Sequence, residues 1–139
     1  MVVKKLITHR SSLITMIRGY LPAGIWLGVI VFLSTKGGVS VPAFDLFQTD
    51  KAAHAGAYAL LVWLGLWGMT RQRAGGIRWV QGVVVVLFAT AFGALMEWVQ
   101  FRFFPDRFFE YDDMLANAAG AFLAVILVSQ VFKKPSTKP

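Results

Sequence analysis

Long apolar runs separated by short polar stretches set the pattern of this chain. Crossing a hydrocarbon layer as a helix takes about 20 mainly apolar residues. Four segments meet that requirement, at 19–35, 52–70, 77–103 and 113–132. Their interiors are almost free of ionisable residues, with His54 and Glu97 as the exceptions. Gly75-Gly76 marks the turn between the second and third runs. Pro42 and Pro105 fall in the other two connections, where a missing backbone donor does least harm. The pattern predicts an all-α, polytopic membrane protein built as a four-helix transmembrane bundle.

Composition strengthens this reading. Of 139 residues, 57% are hydrophobic, against about 45–50% in soluble domains, and the mean hydropathy is +0.62. One small core could not bury that much apolar surface, whereas a bilayer can. The net charge of +7 sits in short clusters between the apolar runs. No aromatic-interleaved basic patch accompanies it, so topology rather than nucleic-acid binding accounts for the excess. The absence of cysteine excludes disulfides and thiolate metal sites. The basic start (Lys4, Lys5, Arg10, Arg18) resembles a secretory leader. The run that follows is long and lacks an A-x-A-like exit, so it is expected to remain as a helix.

Loop charge then predicts orientation. The tail 1–18, the second connection (Arg71, Arg73, Arg78) and the tail 133–139 (Lys133, Lys134, Lys138) are basic. The first connection is balanced, and the third is acidic, with Asp106, Glu110, Asp112 and Asp113 against Arg102 and Arg107. This alternation places both termini in the cytoplasm by the positive-inside rule. Small residues suggest which helices approach closely. Ala52 to Ala59 opens the second span, and Ala116, Gly120 and Ala124 recur every fourth residue in the fourth. Such stripes permit close backbone packing in lipid, so spans two and four are expected at the bundle centre.

Nearly every unusual polar residue falls at the outer end of this topology. Asp50, His54 and Tyr58 recur at i, i+4 and i+8 on one helical face, beside Lys51. Glu97 and Gln100 lie near the end of span three, Asp113 and Asn117 near the start of span four, and Arg107 in the loop between. A carboxylate inside a span is costly unless it is used. Carboxylates at helix starts are common caps and dipole partners, which serves equally well for Asp50 and Asp113.

The order D-K-x-x-H-x-x-x-Y (Asp50, Lys51, His54, Tyr58), E-x-x-Q (Glu97, Gln100) and an Arg-containing loop before D-D-x-x-x-N-x-x-G (Arg107, Asp112, Asp113, Asn117, Gly120) resembles the VanZ-like family of bacterial membrane proteins. The match runs from Asp50 to Ala124. The family loop usually reads P-G-R, whereas this chain has Pro105-Asp106-Arg107. The resemblance implies a multi-pass protein of the bacterial plasma membrane and a role in the cell envelope. The family's name member is associated with resistance to teicoplanin-type glycopeptides.

The favoured expectation is a site for an amphiphile of the outer leaflet, either a lipid-linked cell-wall intermediate or a lipid-like antibiotic. Arg107 and Lys51 would hold its anion, Glu97 and His54 would form a candidate acid–base pair, and Asn117 and Gln100 would orient them. Asp50, Tyr58 and Asp113 complete the expected binding set. No serine or cysteine nucleophile stands beside the pair, which argues against a covalent intermediate. A metal held by His54, Glu97 and Asp113 is less favoured because no H-x-x-x-H spacing supports it. No cofactor is expected, and membrane lipids are the expected surroundings. The alternatives are a small proton-coupled transporter and an accessory subunit of envelope machinery.

Overall fold

The computed structural model describes residues 2–36, 46–72, 77–105 and 107–131, with side chains for 14–36, 50–71, 77–105 and 107–129. Its elements are helices α1 (Val2–Thr35), α2 (Leu46–Gln72), α3 (Trp79–Phe103) and α4 (Tyr111–Val131). Each contains a stretch long and apolar enough to cross a membrane: Ile14–Thr35, Asp50–Arg71, Trp79–Phe103 and Tyr111–Ser129, with mean hydropathies of 1.7, 1.3, 2.0 and 1.5. Large apolar side chains such as Ile25, Leu87, Phe88, Leu115 and Phe122 face outward all round the bundle. A helix set that leaves so much apolar surface uncovered suits an apolar solvent.

Helix boundaries depart from the sequence pattern in two places. The helix containing the first span begins at Val2, so the basic segment before residue 19 is helical and continuous with that span. Helix α2 begins at Leu46, which places Asp50 a full turn inside the helix rather than at its start. Asp112 and Asp113 do lie in the first turn of α4, where the helix dipole favours them. The end of α3 follows from Pro105. A proline pushes the preceding residue out of the helical region, and Phe104 is extended at φ −117° and ψ 109°. The expectations for Pro42, Gly75-Gly76, Asp106 and the tail from Lys133 lie outside the described residues.

Sequential helices run antiparallel, so α2 and α4 run parallel, and these two form the most extensive interface. The small-residue stripes account for it. A Cβ placed on Gly120 would overlap the Ala55 backbone carbonyl, so only glycine permits this approach of α4 to α2. Gly68 likewise lies against the Gly19 backbone where α1 crosses α2. Leu61, Val62, Leu66, Ala121, Ala124 and Val128 fill the interior along the same seam. The opposite side is looser: α1 and α3 touch least among the helix pairs in contact.

Candidate functional site

Four polar side chains are buried among the described residues, and all lie at the end of the bundle where α2 and α4 begin. They are Glu97, Gln100, Asp113 and Asn117, each no more than 5% exposed. Burying a polar group without a partner costs on the order of 1–3 kcal/mol, so their partners are informative.

One set of partners joins α2 to α4. Lys51 Nζ donates to Asp113 Oδ1 at 3.5 Å and lies 3.7 Å from Asp112 Oδ2. His54 Nδ1 is 3.2 Å from Asn117 Oδ1. The other ring nitrogen, Nε2, lies 3.5 Å from Asp113 Oδ2 and 3.9 Å from Asp50 Oδ1. Parallel helices in close contact bring the Asp50–His54 turn of α2 level with the Asp113–Asn117 turn of α4, which is why these side chains meet. Asp50, His54 and Asp113 each offer an atom within 4.8 Å of the others, a grouping that could hold a metal ion. The ligand set weighed and disfavoured from the sequence was His54, Glu97 and Asp113; Glu97 is not in this grouping, and Lys51 already gives Asp113 a cationic partner.

The second set lies on α3. Glu97 Oε1 accepts the backbone N–H of Glu110 at 2.7 Å, tying the loop that follows α3 back onto the helix. Gln100 donates through Nε2 to the Ser34 carbonyl at 3.1 Å, and so bridges α3 to α1 rather than joining the α2–α4 cluster. The expected His54–Glu97 pair is not a hydrogen-bonded one. Both ring nitrogens of His54 face Asn117 and the two aspartates, and Glu97 turns its Oε1 to Glu110. Glu97 has no salt bridge with any described residue.

What His54 and Glu97 share is a half-open cavity of about 610 Å³ lined by α1, α2 and α3, with Asn117 of α4 at its back. Asp50, Tyr58, Gln100 and Arg107 also line it. Tyr58 is buried, with its ring 6.3 Å from that of Phe92 and against Gly93. Gly93 leaves room for Asn117 and Tyr58, since a Cβ there would lie 2.9 Å from Asn117 Nδ2. Lys51 and Asp113 stand behind the lining and hold His54 and the helix starts in place.

Sequence reasoning missed the contribution of α1. Trp26, Ile30, Leu33 and Lys36 form one wall of the cavity. Trp26 donates through Nε1 to the Ala57 carbonyl at 2.8 Å, which fixes α1 against α2. An indole N–H in the middle of an apolar run needs a buried acceptor, and that was the signal available. Comparison with protein-family models, with curated proteins and with solved structures returned no match for this chain.

Proposed function

We propose that this chain is a VanZ-like multi-pass protein of the bacterial plasma membrane whose cavity binds an amphiphile of the cell envelope. The observation that carries the proposal is the cavity itself: about 610 Å³, apolar along α1 and α2, with Glu97, His54, Asn117 and Arg107 gathered toward one end. Small-molecule sites typically enclose about 300–1,000 Å³ and combine apolar walls with a few polar groups. Lipid-linked cell-wall intermediates and lipid-like antibiotics both join a chain to a charged head, and the loose α1–α3 side gives such a chain lateral entry. Below the Trp26–Ala57 hydrogen bond the interior is filled by Val62, Leu66 and Val128. That closed lower half supports binding at one face over transport through the bundle.

The charge pattern supports an orientation with both termini cytoplasmic and the cavity end at the outer face. Because the chain has no cysteine, single cysteines can report on it. Phe108→Cys, at a position 82% exposed, should react with a membrane-impermeant maleimide on intact cells, and Arg71→Cys should react only after lysis. The reverse labelling would invert the topology and move the site to the inner leaflet.

Binding is tested with a long-chain alkyl phosphate and purified protein in detergent, read by native mass spectrometry. Wild type should retain the amphiphile. Leu60→Trp, which fills the apolar wall, should lose it while melting like wild type. Retention by that variant would overturn the assignment of the cavity.

A further inference from the structure

The cavity is layered along the bundle axis, and the layers have an order. Trp26 and Ala57 mark its apolar depth. Ser34, eight residues further along α1, is level with Gln100 through their hydrogen bond, which places that level about 12 Å above Trp26. Glu97 precedes Gln100 by three residues and so sits about 4–5 Å below it. Lys36 and Arg107 belong to the end of α1 and the loop after α3, above that level, and both line the cavity. From the depth upward, the wall therefore reads apolar, carboxylate, basic.

The middle layer has bonding capacity to spare. Glu97 is 3% exposed, lines the cavity, and has one carboxylate oxygen on the Glu110 N–H and no salt bridge with a described residue. A buried carboxylate is costly unless donors surround it. Its other oxygen makes no hydrogen bond with a described residue, and the residue borders the cavity. Arg107 also has no salt bridge with a described residue and stands at the rim. Asp50, the acid at the same rim, is turned toward His54.

Taking the amphiphile reading as its basis, we infer that the ligand is of the lysophospholipid class: one chain, then a hydroxyl donor, then a phosphate. The chain lies along Trp26 and Ile30, the hydroxyl donates to Glu97, and the phosphate meets Arg107, while the Lys36 ammonium, over the Phe32 ring, adds positive charge at the same rim. A linear prenyl or alkyl phosphate has no donor between its chain and its anion, so it leaves Glu97 unsatisfied and binds more weakly. Discrimination of this kind is strong where a site holds a buried group that only the correct ligand pairs.

The experiment compares a 1-acyl lysophosphatidic acid with its 2-deoxy analogue, which keeps the chain and phosphate but lacks the hydroxyl. Affinities are measured by native mass spectrometry on the full chain in detergent. Wild type should prefer the hydroxylated lipid by about tenfold, the scale of one hydrogen bond to a charged acceptor. Glu97→Gln keeps an oxygen for the Glu110 N–H and is therefore expected to fold, and its preference should fall to about threefold, because the amide donates to the hydroxyl only an uncharged hydrogen bond. Arg107→Ala should weaken both lipids alike and leave the ratio unchanged. Equal affinity for the two lipids in wild type, or a full preference retained by Glu97→Gln, would overturn this assignment while leaving the amphiphile site standing. Binding of neither lipid, nor of the alkyl phosphate, would remove both readings together.

Discussion

The seam between α2 and α4 and the gap between α1 and α3 are built on opposite principles. In the seam, glycine and alanine bring two backbones into contact, and Gly120 leaves no room for even one added carbon against Ala55. In the gap, α1 and α3 touch little, and the space between them and α2 is the cavity. Glycines illustrate the contrast. Gly120 is buried in the seam, whereas Gly56, the residue after Ala55 on α2, lines the cavity, and a Cβ added there would meet nothing within 4 Å. The seam fixes where the polar groups stand, and the gap leaves open space beside them.

The comparison can be broken most decisively at Gly120. Gly120→Leu drives a side chain into the Ala55 backbone, which cannot yield as a flexible side chain would. Loss of more than about 4 kcal/mol, or failure to fold, is expected in a detergent unfolding titration. A variant as stable as wild type would show that the two helices do not approach this closely.

Next comes Asp113, which is buried and pairs with Lys51 and His54 from the neighbouring helix. Asp113→Ala removes the buried carboxylate that both share and leaves Lys51 with the exposed Asp112 and His54 with the exposed Asp50, so destabilisation of about 3 kcal/mol is expected in the same titration. Unchanged stability would mean that Asp112 or Asp50 takes over as the anchor.

A smaller loss, about 1 kcal/mol, is expected for Trp26→Phe, which keeps the ring surface and removes the hydrogen bond to the Ala57 carbonyl. Thermal melting in detergent reads it. A shift as large as that of Asp113→Ala would make α1 as tightly fixed as the seam and remove the distinction drawn between the two regions.

The smallest effect has the opposite sign. Gly56→Ala adds a methyl group in open space on a helix, so it should stabilise by about 0.5–1 kcal/mol. Destabilisation instead, in the same melting experiment, would show that the cavity is narrower at that turn than its lining implies.

Much of the fold was legible because apolar runs of this length leave few alternatives. The candidate spans 14–35, 50–71, 79–103 and 111–129 each overlap a run read from hydropathy. The close approach of α2 and α4 was also legible, since small residues at four-residue spacing are useful mainly where backbones meet. The site was legible residue by residue but not as a set of pairs. Helical spacing placed Asp50, His54 and Tyr58 on one face, and all three line the cavity. It could not tell that His54 turns to Asn117 and Asp113 rather than to Glu97, because that choice depends on how far α4 is drawn toward α2. Nor could it foresee that a backbone N–H from Glu110 would take one oxygen of Glu97, since every residue but proline carries that donor.

The sequence by itself determined what each segment is: four helices long and apolar enough to cross a bilayer, with polar residues gathered at one end of three of them. Hydropathy and helical period are local properties, readable one segment at a time. Only the tertiary structure decided which polar groups pair, that α1 supplies a wall through Trp26 and Ile30, and that Glu97 faces a cavity instead of a cation. Those outcomes depend on distances between helices, which are set by contacts such as Gly120 on Ala55 and Trp26 on Ala57 and are written in no single segment.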